Sequence, residues 1–185
     1  MPELAIIADD LTGALDTAAP FAMRGLSTHA ALGVDSISEA LSAGPRVLTV
    51  STDSREVAPD MARKRVAEIV AVLPKGTKIF KKIDSRLKGN IAAELGALPH
   101  ARSILIPAIP AFRRLVVNGH LTGFGVDSPT SVAGALGEYA ARAHIPDIVT
   151  DADIDAALDG DYDLLIGARG LADALRGGVV GVERD

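Results

Sequence analysis

Residues 4–25, LAIIADDLTGALDTAAPFAMRG, are the stretch from which the rest of the chain is interpreted. The stretch opens with five apolar residues and then reaches two carboxylates, Asp9 and Asp10, and a short apolar run with polar boundaries is typical of a buried strand. A helical pattern rich in small residues follows over about residues 14–24, with Thr12 as the predicted N-cap. The stretch therefore predicts a strand, a turn and a helix, with both acids at the carboxyl end of the strand, where open α/β sheets bind ligands.

The alternation of strand and helix continues along the chain. Further strands are predicted at residues 27–33, 46–51, 77–83, 103–106, 148–149 and 164–167. Further helices are predicted at residues 36–43, 60–72, 90–98, 131–143, 151–158 and 171–175. The segment LVVNGHL at residues 115–121 predicts a β-hairpin, because Asn-Gly favours the tight turn between antiparallel strands. The predicted fold is therefore α/β, a mostly parallel sheet with helices on both faces plus a β-hairpin, in a single domain spanning 1–185.

Composition narrows the class of protein. The chain has 185 residues, and 48% of them are hydrophobic, which is enough for the core of one domain. The formal net charge of −5 argues against nucleic acid as a partner. Because there is no cysteine, no disulfide framework is expected. No apolar run has the length of a membrane span and no secretory signal is visible, so we expect a cytoplasmic protein without membrane contact.

Polar clusters follow four of the predicted strands. They are Asp9–Asp10, Thr52–Arg55, Lys82–Asn90, and the loop after Pro107 that carries Arg113 and Arg114. Because the carboxyl ends of parallel strands share one edge of a sheet, we expect these clusters to meet. Arginine binds carboxylates and phosphates through two parallel hydrogen bonds, whereas Asp and Asn suit sugar hydroxyls, which need acceptors and donors together. The pattern predicts a pocket for a small, anionic, hydroxylated molecule.

Each cluster also has a structural interpretation, which the residues alone leave open. The acid pair at 9–10 would serve as a helix cap, and residues 52–55 would form a polar loop ahead of a helix. Lys81, Lys82 and Asp84 are either site residues or members of a structural ion pair, because charges at the end of an apolar strand are costly unless paired or exposed. No phosphate-binding glycine loop is present, so the sequence predicts no nucleotide site in this chain.

Several of these segments resemble the signatures of the four-carbon acid sugar kinase family. The resemblance rests on residues 7–14 (IADDLTGA) with 16–18 (DTA), 52–55 (TDSR), 82–90 (KIDSRLKGN, where the family usually has KxDSTLRGN), 107–110 (PAIP) with Arg114 and 117–121 (VNGHL), and 165–172 (LIGARGLA). These motifs cover nearly the whole chain in the order typical of the family. The resemblance implies an ATP-dependent kinase of threonate, erythronate or 3-oxo-tetronate type acids. It also implies two α/β lobes, of which the first binds the sugar acid and the second binds ATP.

The resemblance further implies roles for individual residues. The implied substrate-binding residues are Asp9, Asp10, Arg55, Lys82, Asp84, Ser85, Lys88, Asn90 and Arg114. Among them, Arg55 and Arg114 are the candidate partners for the anion. Asp10 is also the implied catalytic residue, acting as a base toward the attacking hydroxyl as in ordinary phosphoryl transfer. No cofactor site and no metal site are expected in this chain, and ATP and Mg²⁺ would come only with a partner lobe.

This sequence departs from the family pattern in its length and in its basic residues. Chains of the family are considerably longer, so the ATP-binding C-terminal lobe is expected to be absent here. Arg86 stands where Thr is usual, Lys88 where Arg is usual and Arg113 where Gly is usual. We expect the substrate lobe of a sugar-acid kinase, inactive alone and working with a separate ATP lobe or as a homodimer, which leaves its status as an enzyme open. A non-catalytic binding or regulatory module is the alternative that the substitutions favour, and a small hydrolase holding Mg²⁺ on Asp9 and Asp10 is a third.

Overall fold

The computed structural model describes residues 1–175. Its strands are β1 (Leu4–Ala8), β2 (Thr28–Ala31), β3 (Val47–Ser51), β4 (Lys78–Lys82), β5 (Ser103–Ile106), β6 (Arg114–Val117), β7 (His120–Gly123), β8 (Thr130–Ser131), β9 (Ala143–His144) and β10 (Leu164–Gly167). Its α-helices are α1 (Leu11–Met23), α2 (Ile37–Ser42), α3 (Pro59–Val72), α4 (Ile91–Leu95), α5 (Val132–Leu136), α6 (Asp151–Ala157) and α7 (Arg169–Ala174). The predicted domain of 1–185 includes residues 176–185, which lie outside the described part.

The larger sheet has seven strands in the order β2-β3-β1-β4-β10-β5-β9, and every neighbouring pair is parallel. Two groups of helices cover its two faces. In one group α7 packs against α1 and α6, and in the other α4 packs against α3 and α5. The smaller sheet is antiparallel, in the order β6-β7-β8. The predicted fold class is therefore confirmed: an α/β protein with a mostly parallel sheet, helices on both faces and a β-hairpin.

The parallel strands form from segments whose side chains are mainly apolar on both faces of the sheet. Every residue of β1, β3, β5 and β10 is buried, as expected for strands that lie between two layers of helices. Phe21 of α1 and Phe80 of β4 are fully buried, and the rest of the core is mainly aliphatic. The strands end where the side chains become polar. Since β3, β1 and β4 are neighbours, their polar carboxyl ends lie side by side.

The predicted hairpin turns at Asn118–Gly119, between β6 and β7. Both residues have a positive φ, 51° and 71°, as the favoured two-residue hairpin turn requires. The Asp147 carboxylate accepts hydrogen bonds from both backbone N–H groups, at 2.8 and 3.0 Å, and so fixes the turn to the domain. The third strand of this sheet, β8, was not predicted, because two residues are too few to show a pattern.

Two other predicted elements differ from the structure. The helix predicted at 131–143 is interrupted, because α5 ends before Gly137, which has a positive φ of 57° that glycine adopts without strain. A 3₁₀ segment, Gly137–Arg142, follows and leads into β9 at the sheet edge. The strand predicted at 148–149 is only a single bridge to β6. The first difference follows from the glycine backbone, and the second from the pairing of this segment with β6.

Candidate functional site

The Arg55 guanidinium joins the polar strand ends. Its Nε donates to Asp9 Oδ2 at 2.7 Å and its Nη2 donates to Asp9 Oδ1 at 2.8 Å. Its Nη1 lies 2.7 Å from Asp10 Oδ2 and 4.0 Å from Asp84 Oδ1. The paired fork on Asp9 is the strong, directional form of an arginine–carboxylate contact. Arg55 thus connects the residues that follow β1, β3 and β4.

The contact between Asp9 and Arg55 shifts the pKa of both groups. Burial alone would raise the pKa of the Asp9 carboxyl, but the Arg55 hydrogen bonds and the charges of Lys81 and Lys82 outweigh it and hold the pKa below its ordinary value. The hydrogen bond to Asp9 raises the pKa of Arg55. Asp9 is therefore a firmly ionised carboxylate, and the Arg55 cation is already bound to carboxylates. The role of Arg55 as an anion partner for the ligand stays a prediction.

Asp10 has two partners and remains accessible. Its Oδ1 accepts a hydrogen bond from the backbone N–H of Gly13 at 2.7 Å, which makes Asp10 the N-cap of α1 in place of the predicted Thr12. The side chain of Asp10 is 31% exposed, whereas that of Asp9 is 3% exposed. The capping and the site interpretations of the acid pair are therefore compatible, because Asp10 caps the helix and is also the acid accessible to a ligand.

Lys81 and Lys82 lie on opposite faces of β4, because successive side chains of a strand alternate. Lys81 is fully buried, and its Nζ lies 3.0 Å from Glu94 Oε2 in α4. The other oxygen of Glu94 accepts a hydrogen bond from the hydroxyl of Ser54, which in turn contacts the hydroxyl of Thr52. Of the two possibilities left open for Lys81, the structure shows the ion pair. Through Ser54, this ion pair also fixes the loop that carries Arg55.

Lys82 faces the N-terminus of α1. Its Nζ donates to the carbonyl oxygen of Ile83 at 2.7 Å, and a Cβ on Gly13 would lie only 2.9 Å from that Nζ. Burial lowers the pKa of Lys82, although the carboxylates of Asp9 and Asp10 act in the opposite direction. Lys82 is therefore a buried amino group held beside the acid pair, with N–H groups left to donate to a ligand.

The turn after β4 is organised by Asp84. Its Oδ2 accepts hydrogen bonds from the backbone N–H groups of Arg86 at 2.9 Å and Lys88 at 3.3 Å. The side chain of this aspartate therefore shapes the turn through Oδ2 and presents Oδ1 toward Arg55. The side chains of Arg86 and Lys88 are exposed at the outer side of the turn.

Asn90 lies behind the site rather than in it. Its Nδ2 donates to the carbonyl oxygens of Ser54 at 2.9 Å and Val57 at 2.8 Å, so the amide links the turn after β4 to the loop after β3. Gly89, just before it, has a φ of 90° and approaches the acid pair closely, since a Cβ there would lie 3.3 Å from Asp9 Oδ2. Both residues position the loops.

Arg114 brings the hairpin to the same edge. Its side chain is largely buried, with Nη1 donating to Ser85 Oγ at 2.6 Å and with Nε and Nη2 donating to the carbonyl oxygen of Phe124 at 3.0 and 2.9 Å. Burial and the nearby Arg86 charge lower the pKa of Arg114, although the Asp84 carboxylate acts in the opposite direction. Arg113, in contrast, is exposed and has a left-handed backbone with a φ of 56°.

The structure brings most of the sequence-predicted residues together. Five of them form what we call the inner cluster: Asp9, Asp10, Arg55, Lys82 and Asp84. Ser85 and Arg114 pair beside it, Lys88 lies exposed at the rim, and Asn90 lies behind it. Glu94 is a structural residue that the sequence reasoning missed. No local pattern could have revealed it, because its pairing with Lys81 depends on how α4 packs on the sheet.

The described part of the chain has neither a metal-binding cluster nor a membrane-spanning helix. Residues 1–175 contain no group of three or more His, Cys, Asp or Glu side chains arranged to hold a metal ion. The space between the two aspartates is taken by the Arg55 guanidinium. Over the same residues, no helix combines the length and the apolarity needed to cross a bilayer.

Comparison with known proteins assigns the family. The sugar-binding N-terminal domain family matches residues 4–133 of this chain. The chain therefore belongs to that family, and its resemblance to the four-carbon acid sugar kinases is confirmed.

Two curated kinases and one crystal structure show how far the similarity extends. The D-erythronate kinase of Heliobacterium modesticaldum is 38% identical over 130 residues, which are 65% of this chain and 29% of that protein. The D-threonate kinase of Bordetella bronchiseptica is 32% identical over 165 residues, 84% of this chain and 41% of that protein. A domain of unknown function from B. bronchiseptica, a domain-swapped dimer with bound citrate, matches with a TM-score of 0.79 and 25% identity over 95% of this chain and 57% of that chain. This chain thus spans less than half the length of these curated relatives.

Proposed function

We propose that this chain binds a four-carbon sugar acid of the threonate, erythronate or 3-oxo-tetronate type, as the substrate lobe of an ATP-dependent sugar-acid kinase. ATP and Mg²⁺ would be held by a separate lobe, so the chain by itself would transfer no phosphoryl group. Its family membership and the names of its curated relatives support the substrate class. The citrate in the matching crystal structure supports a hydroxylated organic anion as the kind of ligand. A cytoplasmic location remains a prediction.

The inner cluster is the observation that carries this proposal. Three carboxylates and two cations converge at the carboxyl edge of the sheet, and each is fixed by a hydrogen bond, an ion pair or burial. Asp10, accessible and fixed by its helix cap, would accept a proton from a substrate hydroxyl, and Lys82 would donate to a neighbouring oxygen. A carboxylate beside an ammonium suits a polyhydroxylated molecule, since each hydroxyl both donates and accepts.

Ligand titration tests the binding part of the proposal. D-threonate and D-erythronate are added to the 185-residue chain and followed by isothermal titration calorimetry and by thermal unfolding. At a ligand concentration about 100 times Kd, mass action adds about 2.7 kcal/mol, which raises Tm by about 5 to 11 °C for a domain of this size. D10N keeps an oxygen for the helix cap but loses the charge, and we expect it to bind at least about 10-fold more weakly.

Asp161→Asn is the matched control, because this exposed residue precedes β10 at the opposite edge of the sheet. It should bind as the unchanged chain does. No stabilisation by any four-carbon sugar acid would overturn the proposal, and so would an equal loss of binding in D10N and D161N.

A non-catalytic binding module is the second candidate, favoured by the substitutions at Arg86, Lys88 and Arg113. The two candidates differ in what happens when an ATP-binding lobe is added. The kinase proposal expects such a lobe to co-purify with this chain from the source cell and to phosphorylate D-erythronate or D-threonate in its presence. If the chain binds the acid but captures no such lobe, or only forms homodimers that stay inactive with ATP, the binding module is the correct function.

A further inference from the structure

Two basic side chains line a small cavity beside the turn after β4, and a third lies close to it. Arg86 and Lys88 line a cavity of about 180 Å³ together with residues 125–128 of the loop between β7 and β8 and Thr130 of β8. Arg114 borders the same loop, since a Cβ on Gly125 would lie 3.0 Å from Arg114 Nη2 and 3.8 Å from Arg86 Cδ. The two arginine side chains therefore approach the same point from two sides. We call Arg86, Lys88 and Arg114 the outer basic group.

The outer basic group forms no salt bridge within residues 1–175, although the Asp84 carboxylate attracts Arg114 from beyond salt-bridge distance and Asp127 lines the cavity. None of its side-chain nitrogens lies within salt-bridge distance of a carboxylate in that part of the chain, and Arg114 is bonded only to a hydroxyl and a carbonyl oxygen. Arg55 is the opposite case, because its guanidinium is bound by Asp9 and Asp10. Like charges held near one another without a counter-ion repel, and an anion between them removes the repulsion.

The charge is distributed unevenly between the two ends of the site. The inner cluster holds three carboxylates against two cations, so its net charge is negative and a ligand carboxylate placed there would be repelled. The outer basic group holds three cations, and Asp127 is the acid among the residues lining its cavity. The difference in charge between the two ends therefore favours one orientation of a hydroxy acid, with its carboxylate at the outer basic group.

We propose that Arg86, with Lys88 and Arg114, binds the carboxylate of the ligand, and that Arg86 sets the preference of this chain for acids over neutral polyols. The ligand lies with its carboxylate in the cavity against residues 125–130 and its hydroxyls toward Asp10 and Asp84. Ser128, which also lines the cavity, supplies a hydroxyl group for a further hydrogen bond, whereas the Thr130 hydroxyl donates to the Ser128 carbonyl oxygen. This inference rests on the proposed function: it keeps the anion-binding role that the resemblance implies for Arg114, and it gives the role implied for Arg55 to Arg86 and Lys88.

Neutralising Arg86 tests the inference. R86Q is compared with the unchanged chain by calorimetric titration with D-erythronate and D-threonate between low and high NaCl. Because a charge-assisted hydrogen bond to a carboxylate is lost, affinity should fall about 10- to 100-fold at low salt. The decline of affinity with salt should also become shallower, since one screened charge pair has been removed. R86K, which keeps the charge but not the fork, should recover part of the affinity.

Lys75→Gln is the matched control. It removes one positive charge from an exposed turn ahead of β4, at the edge of the sheet opposite the site. K75Q should keep the affinity and the salt dependence of the unchanged chain, and both variants should keep its Tm within about 2 °C because both positions are exposed.

The possible failures are distinguishable. If the unchanged chain binds neither acid, the proposed function is overturned and the subsite with it. If the unchanged chain binds and R86Q binds equally well with the same salt dependence, only the carboxylate subsite is overturned. An equal loss in K75Q and R86Q would show a general effect of net charge, which also overturns the subsite.

Discussion

Replacing Lys81 by Met is predicted to destabilise the fold more than any exposed substitution. Lys81 and Glu94 are 0% and 1% exposed, and they form an ion pair of 3.0 Å between β4 and α4. Methionine fills a similar volume, so the main effect is the loss of the partner charge beside a carboxylate that water cannot reach. Breaking a buried pair in this way costs about 3 to 5 kcal/mol. At about 2 to 4 °C per kcal/mol, Tm should fall by about 6 to 20 °C.

The double variant K81M/E94M separates the charge effect from packing. With both charges removed, no ion is left without a partner, and such replacements are often close to neutral. The double variant should therefore recover most of the stability that K81M loses. The remaining deficit comes from Ser54, whose hydroxyl loses its acceptor and keeps only its contact with Thr52.

Thermal and urea unfolding followed by circular dichroism measure all the variants, with K75M as the exposed control. The result that would refute the reasoning is a K81M chain that unfolds within about 2 °C of the control. Additive losses in the double variant would refute it as well, because two residues that interact as an ion pair cannot contribute independently.

Two further predictions concern the acid pair. Gly13→Ala should lower stability by about 1 to 2 kcal/mol and weaken ligand binding, since its Cβ would lie 2.5 Å from the capping oxygen of Asp10; Gly33→Ala, where the Cβ meets open space, is the control that should change neither. Stability should also fall in acid, because the folded-state pKa of Asp9 is depressed below the unfolded value of about 3.9. The contribution of Asp9 to the free energy of unfolding is complete above the unfolded-state pKa and is lost as the pH falls through the folded-state pKa. Urea unfolding between pH 7 and pH 2.5 should show that the free energy of unfolding falls more steeply with pH in the unchanged chain than in Arg55→Gln. Parallel plots of this free energy against pH would contradict the prediction.

The sequence predicts the strands of the large sheet better than it predicts the partners of its charged residues. Mainly apolar runs mark β1, β3, β5 and β10, because a strand covered by helices on both faces buries most of its side chains. Lys81 and Lys82 are identical by residue type and adjacent in the chain. Only the direction of each side chain decides that one is buried against Glu94 and the other faces the site, and that direction depends on which helix covers which face.

The cap of α1 shows the limit of local rules in the same way. Both Thr12 and Asp10 are good N-cap residues. The local sequence does not show that Arg55, distant in the chain, contacts Asp10. In the structure Arg55 contacts the other oxygen of Asp10, and the helix starts at Leu11, earlier than the small-residue pattern at 14–24 suggests. Asp10 is therefore held as the cap both by the helix amide of Gly13 and by Arg55 of the site.

That joint choice explains how the site is held ready for a ligand. Asp9 is fixed by the Arg55 fork, Asp10 by the helix amide and Asp84 by the amides of its own turn, so these carboxylates lose little further freedom on binding. The same contacts occupy the Arg55 guanidinium, and the site cannot use one cation both to order its acids and to bind an acid from solution. A carboxylate ligand therefore needs a cation other than Arg55, and Arg86 and Lys88, which line a cavity beside the turn that Asp84 organises, form no salt bridge within residues 1–175.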